Sequence, residues 1–409
     1  LQNEQGVRKG LNMKRAYYYA PLTIAILFGL AISAIASSPV VYGDNVPGCQ
    51  GTGSSTAKVI LGGRVITPST ILRTANGQPC EANETSINIV SMIRTVVVSP
   101  NGTPSQNGTA LLSAMTTISN ASPSAANPWL LKLEPGNYDL GSSALVLKPY
   151  VDLEGSGEGT TTISSTIVST SFPPAQGTLV MASNTEARFV RLLNSGNKDT
   201  SYISYNTAIL VGSGMSNVRV IHVTTNVLGG NRSYGFFNDG GTVTIKDSSL
   251  YGWGGSDGYG LINNTASATL TLQNSALSAN GGYAYGLHNK GGTANVLNST
   301  LNADGVTKAQ SQAYGLYNAD GGTSNIQNSG LFSSAVASSV GLFIDSGSVT
   351  VKNSIMSGSA SNGYGVDNNN GTVGIGASQL SGSSGLANGT VTCVASYNAS
   401  YAALSATCN

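Results

Sequence analysis

The sequence predicts an all-β chain, a right-handed parallel β-helix with one short capping helix near its N-terminal end. Three observations predict it. A short phrase recurs at a nearly constant step, apolar residues alternate with period two inside each repeat, and Asn returns at two fixed places per repeat. The phrase reads Tyr234-Gly235-Phe236, Tyr259-Gly260-Leu261, Tyr285-Gly286-Leu287, Tyr314-Gly315-Leu316, Val340-Gly341-Leu342 and Tyr364-Gly365-Val366, with a fading copy at Ser384-Gly385-Leu386. Its steps are 25, 26, 29, 26 and 24 residues. A period of that size marks a solenoid, whose units stack on their neighbours.

Each repeat has a regular interior. A polar corner follows the phrase at Asn238, Asn263, Asn289, Asn318 and Asn368, with Ile344 as the exception. A Gly/Ser/Thr turn leads to an alternating strand such as Val243-Thr244-Ile245, Leu270-Thr271-Leu272 or Val349-Thr350-Val351. A second corner comes at Asp247, Asn274, Asn298, Asn328 and Asn353, with Ala377 breaking the series. An apolar residue closes the unit at Leu250, Leu277, Leu301, Leu331, Met356 and Leu380. Period two excludes a helical solenoid, and the expected strands are about three to five residues long. Asn at equivalent corners can stack, each amide bonding the next and satisfying turn backbone groups. The tyrosines form a column too, read as an internal or flanking aromatic stack, with a surface sugar platform as the alternative.

Composition narrows the function. Charged residues are 9% of the 409, the net charge is +1, and Lys and Arg are scattered. That argues against nucleic acid or an anionic membrane as the main partner. The 52 glycines and the many Ser, Thr and Asn residues suit a neutral, extracellular β-solenoid.

The sequence predicts upstream residues at 1–12, a signal peptide at 13–36, a leader and cap at 37–85, the β-helix at 86–390 and a C-terminal cap at 391–409. Met13 opens the signal, Lys14 and Arg15 give its positive region, and Leu22 to Ile35 is its apolar stretch. Ala34-Ile35-Ala36 offers a cleavage site. The expected location is therefore secreted or cell-surface, with no membrane span after cleavage. Four cysteines, Cys49, Cys80, Cys393 and Cys408, lie two near each end. The expected pairs are Cys49–Cys80 and Cys393–Cys408, tying down terminal segments that would expose strand edges. Metal binding by these cysteines is disfavoured, since none has CxxC spacing.

Residues 128–163 carry a more specific text. Trp129-Leu130-Leu131-Lys132-Leu133-Glu134-Pro135-Gly136-Asn137-Tyr138 is followed by Leu145-Val146-Leu147-Lys148-Pro149-Tyr150-Val151-Asp152-Leu153-Glu154-Gly155-Ser156-Gly157-Glu158-Gly159 and Thr160-Thr161-Thr162-Ile163. This resembles the first coils of the pectin lyase-like superfamily, pectinesterases in particular. The resemblance implies that Thr109 to Ile118 forms the helix capping the coil stack. It implies the fold, but activity does not follow from fold. The pectinesterase Gln-Asp motif is absent. So are the Asn-Thr-Asp, Asp-Asp and Gly-His-Gly motifs of polygalacturonase-like hydrolases. The glycines from Gly155 to Gly159 read as a tight corner, not a nucleotide loop, because a strand follows them.

No catalytic site is assigned; the candidates are Asp239 and Asp257. Asp345 shares the Asp239 column but stands four coils away, about 19 Å at the usual strand spacing. His222 reads as an outward strand residue, and His288 as structural, since its slot elsewhere holds Ile262, Tyr317 and Phe343. No cofactor is expected, with calcium the one alternative if acids converge. Sugar binding rests on Trp253 and Tyr251 in an insertion-like loop, with Arg232, Lys246 and Arg219 as contacts to an acidic sugar. Aromatic rings stack on a sugar's apolar face while polar groups take its hydroxyls.

Three functions remain. The first choice is an exported non-catalytic β-helix acting as a cell-surface or extracellular structural or adhesion protein, able to associate with copies of itself. A glycan-binding module comes next. A carbohydrate-active enzyme (pectin or polysaccharide lyase, hydrolase or esterase) with an atypical site is the alternative.

Overall fold

A computed structural model describes the backbone of residues 40–42, 46–51, 59–61, 64–66, 71–74 and 84–89, and the backbone and side chains of residues 94–196, 204–305 and 310–409. Residues 13–36, read from the sequence as a signal peptide, lie outside the described residues, as do Cys80, the side chain of Cys49 and the expected Cys49–Cys80 pairing.

The chain forms a parallel β-helix with three faces. The first face is a ten-stranded parallel sheet that runs from Leu145–Val146 to Gly385–Asn388 and carries the repeated phrase. The other two faces are ladders of one 22-stranded sheet. They are joined because Thr185–Asn194 and Val218–Leu228 run through both. From there on they separate. Val218 to Ile221 pairs with Val243 to Lys246 on the second face, and Thr224 to Leu228 pairs with Ser249 to Trp253 on the third.

The phrase has a steric explanation. In Arg232–Asn238, Phe236 belongs to the main core while Tyr234 and Phe237 pack together in a separate outer cluster. The residue between Tyr234 and Phe236 must be Gly. A Cβ on Gly260 would stand 2.6 Å from Gly286 O and 2.9 Å from Ser278 N, and one on Gly286 would stand 2.6 Å from Gly315 O. The third face approaches the first too closely there for any side chain. These first-face strands are seven or eight residues long, longer than the sequence suggested, because residues before the phrase also pair: Arg232 with Asp257 and Ser233 with Gly258.

The core is built by stacking like on like. One inward column runs through Leu131, Leu153, Ala187, Val220, Ile245, Leu272, Val296, Ile326, Val351 and Ile375 to Cys393. Every member is buried. At its end Cys393 bonds Cys408 across 5.3 Å between Cα atoms, so the last residues fold over the open coil. At the other end the helix Pro104–Asn120 buries Leu111, Ala114, Met115 and Ile118. It begins five residues earlier than the resemblance implied. Thr103 and Gln106 form a capping box that reads by composition as loop. Among the described residues no helix is long and apolar enough to cross a membrane.

Two side-chain ladders reinforce the backbone ladder. The first Asn column lies inside: Asn238 Nδ2 donates to Asn263 Oδ1 at 2.8 Å, Asn263 to Asn289 at 2.9 Å and Asn289 to Asn318 at 2.9 Å. The same amides bond turn carbonyls, such as Asn289 to Gly292 O at 2.9 Å. At Ile344 the relay stops, and Asn318 donates to Ser346 O instead. The second column stands at the corner between the second and third faces. Asp247, Asn274, Asn298, Asn328 and Asn353 all have φ of 48–51°. This left-handed conformation favours Asn and Asp among non-glycine residues. His222, exposed within Val218–Leu228 as the sequence suggested, occupies the same corner at φ 51°. The residue after each Asp or Asn of this column is Ser, and this ladder was not read from the sequence. Ser248 N donates to Ser275 Oγ at 3.1 Å, Ser275 N to Ser299 Oγ at 3.2 Å and Ser299 N to Ser329 Oγ at 3.1 Å. The recurring Asn-Ser dipeptide was the available signal.

Asn289→Ala should cost about 1–3 kcal/mol, because it strands buried donors and acceptors on both neighbouring coils. Urea unfolding measures this, and an unchanged midpoint would show that the inner amide relay adds nothing. Cys408→Ser should lower stability by about 3 kcal/mol on loop-closure grounds. Hydrogen exchange should show the loss concentrated in the last coil.

Candidate functional site

The third face gathers the residues best suited to hold a ligand. Its outward positions lie in three columns set by strand register. Thr224, Ser249, Ala276 and Thr300 form the first; Asn226, Tyr251, Ser278 and Asn302 the second; Leu228, Trp253, Asn280 and Asp304 the third. Alternation turns Leu250 and Gly252 inward, which leaves Tyr251 and Trp253 outside on one strand. Trp253 is 43% exposed. It is the last residue of Ser249–Trp253, not part of a loop as the sequence suggested. The glycines after it resemble a turn, yet Trp253 pairs in register with Leu228 and Asn280.

Amides flank the aromatic pair. Asn226 stands one coil before Tyr251 and Asn280 one coil after Trp253, and the Oδ1 of each is buried without a hydrogen-bond partner. Such atoms are uncommon and call for an explanation. Asn302 donates to Asp304 Oδ2 at 3.1 Å. Burial raises the Tyr251 phenol above its ordinary pKa, and the Asp304 carboxylate adds to the shift.

A shallow groove runs along the first column beside the left-handed corner, lined by Glu158, Asp247, Ser249, Asn274, Asn298 and Thr300. Glu158 comes from the tip of the Gly155–Gly159 corner and accepts a hydrogen bond from Thr224 Oγ1. It was missed in the sequence because the glycines around it drew the reading. Asp247 accepts from Asn274 Nδ2 at 3.1 Å, and His222 Nε2 lies 4.0 Å from its Oδ2. Next in the corner column, the His222 ring stacks on exposed Phe189 at 5.2 Å.

The other sequence candidates are elsewhere. Arg232 and Asp257 lie on the first face, where Arg232 Nε meets Asp257 Oδ2 at 2.7 Å. Arg232 also stands over the Tyr205 ring, and Asp257 accepts from Ser256 Oγ at 2.8 Å. Asp239 accepts from Asn264 Nδ2 at 2.7 Å, and Asp345 from Asn369 Nδ2 at 3.3 Å. Lys246 stands on the second face beside Gln273. Arg219 is drawn into a second-face ion network, 3.2 Å from Glu186, whose other members are Arg188, Glu154 and Lys132. Trp253, Tyr251 and Asp304 therefore share the third face, with Asp247 and Glu158 at its corner, while Arg232 and Asp257 lie on the first face and Lys246 ends the second-face strand just before Asp247. Among the described residues no three of His, Cys, Asp and Glu are placed to hold a metal ion.

The tyrosine column is a flanking stack on the outside of the first face. Tyr234, Tyr259 and Tyr285 stack at 4.8 Å per step, and Tyr314 follows at 5.4 Å. Burial pushes the Tyr234, Tyr259 and Tyr285 phenols well up. His288 sits among Tyr259, Tyr285 and Tyr317. Burial, with nearby Lys290 adding, lowers it to about 3.

No protein-family model matches the chain, and no curated protein is similar to it. Solved structures are similar in fold. The A-module of mannuronan C-5 epimerase AlgE6 from Azotobacter vinelandii is 13% identical, with 72% of this chain and 95% of that one covered at a TM-score of 0.39. Pectin methylesterase from Yersinia enterocolitica is 12% identical, with 70% and 94% covered at 0.36. The catalytic domain of a GH87 alpha-1,3-glucanase is 9% identical, with 82% and 72% covered at 0.37. These likenesses concern the β-helix alone, and no property of the third face is taken from them.

The neutral imidazole of His288 gives a pH signature. Between the usual His value of about 6.5 and its folded value of about 3, the unfolded chain binds a proton that the fold excludes. Stability is then fully present above about pH 6.5 and falls as the pH drops through that window. His288→Tyr should remove this part of the acid sensitivity. Melting temperatures of both proteins from pH 7 to 4 measure it, and parallel curves would refute the assignment.

Proposed function

We propose that the chain is an exported, non-catalytic β-helix that holds a polysaccharide along its third face. The observation that carries this reading is the exposed Trp253 beside Tyr251 on a flat ladder, with amides in register on both sides. Two rings on one strand can stack on sugar faces, and the coil spacing of about 4.8 Å repeats polar groups along the axis. Export is supported by the signal-like residues 13–36 and by the Cys393–Cys408 disulfide.

A holding role is favoured over turnover because the two acids singled out as catalytic candidates are engaged away from this face. Asp257 is paired with Arg232, and Asp239 with the Asn264 amide. Neither shares a face with the aromatic pair. The scaffold itself is specified by columns of like residues, which suits a structural or adhesion protein presenting one binding strip.

Retention on immobilised polysaccharides, with mass spectrometry of any released products, tests this. Wild type should be retarded by at least one glycan without new product masses. Trp253→Ala should weaken retention about tenfold, the loss of one aromatic contact worth roughly 1.4 kcal/mol. A new oligosaccharide mass would make the protein an enzyme. Retention untouched by Trp253→Ala would move the site off this face.

A further inference from the structure

We propose that the third face selects a polysaccharide of protonated amino sugars and rejects polyuronates; this rests on reading that face as the glycan site. The argument starts from which charges share the face. Glu158 and Asp247 line the groove, and Asp304 ends the Trp253 column. Asp304 lies two coils beyond the Asp247 coil, about 9.6 Å along the axis. It also lies in the Trp253 column, six residues of strand path from the corner, or about 20 Å. The carboxylates therefore bracket the aromatic pair over a patch long enough for several sugars, not one.

The cations that would pair a uronate are on other faces. Arg232 is tied to Asp257 on the first face, Arg219 joins the Glu186 network, and Lys246 points from the end of a second-face strand, one residue before the groove's Asp247. On the third face the described cation nearest the groove is Arg191, in register with Thr162 and Thr224 and so two coils before Ser249. His222 stands at the groove's corner beside Asp247. From Ser249 to Asp304 the outward positions of the third face bear Asp304 and no Lys or Arg.

Each carboxylate keeps acceptor capacity beyond its protein partner. Glu158 accepts from Thr224, Asp247 from Asn274 and Asp304 from Asn302. An ammonium group on a sugar can take the remaining lone pairs as a charge-assisted bond. A uronate would bring another acceptor and a like charge to the same strip, and both are unfavourable. The molecule as a whole does not supply this preference, because its net charge is +1.

The test compares retention on chitosan, fully N-acetylated chitin and polygalacturonate at low and high salt. The proteins are wild type, Trp253→Ala and the triple variant Glu158→Gln, Asp247→Asn, Asp304→Asn. Asn already fills the Asp247 position in following coils, so that change suits the corner. Circular dichroism confirms that the triple variant keeps its fold. Wild type should hold chitosan more strongly than chitin and leave polygalacturonate unbound. Salt should erase the chitosan advantage, and each charge should account for about a two- to fivefold effect. The triple variant should hold chitosan and chitin alike. Polygalacturonate held as well as chitosan, or a chitosan advantage that survives in the triple variant, overturns the charge selectivity. If Trp253→Ala abolishes that polygalacturonate retention, the glycan-binding reading still stands. Retention on none of the three overturns the selectivity, and the wider glycan panel then decides the reading itself.

Discussion

The hydrogen bonds between one coil and the next hold this structure together. They run along the axis through the backbone of all three faces, and the inner amide relay and the Ser ladder run with them. Asn263 both accepts from Asn238 and donates to Asn289, while binding turn carbonyls of its own and the following coil. Its energetic weight comes from location: inside a coil an unpaired amide would lose water without replacement. This is why the Asn position is repeated so strictly while the turns between vary. The apolar columns give burial, and the polar columns fix which residue stacks on which.

Much of the fold could be read from the chain because a solenoid writes its constraints repeatedly. Gly260, Gly286 and Gly315 recur since each faces the same close backbone approach. Asn274 and Asn298 recur since each sits at the same left-handed corner. The inward Leu residues recur since each stacks on its counterpart. The helix start at Thr103-Pro104 was less legible, because a capping box and a loop share the same residues. The Ser ladder was hidden for a different reason: in a chain so rich in Ser, one more conserved spacing does not stand out against composition.

The site was harder to assemble. Trp253 and Asp257 are only four residues apart in the chain. A corner of the coil lies between them, so they serve different faces. Glu158 and Thr224 are 66 residues apart and bonded, because Glu158 reaches along the axis from an early coil. In a repeat protein, neighbours are set by position within the repeat and by coil number, while distance along the chain misleads. The charge on the third face became visible only after Arg232, Lys246 and Arg219 had been assigned to the other two.

The inner relay stops where Ile344 replaces Asn, and the coil there still pairs fully with both neighbours. One coil can therefore lose a member of the polar column without losing its place in the stack. Every interior coil offers the same sockets above and below, so the length of the rod is separable from the design of its ends. An in-frame duplication or deletion of one whole repeat between Asn238 and Asn318 would carry its own matching donors and acceptors with it. Such a gene could lengthen or shorten its product in steps of one coil, keeping the helix lid and the disulfide clasp unchanged.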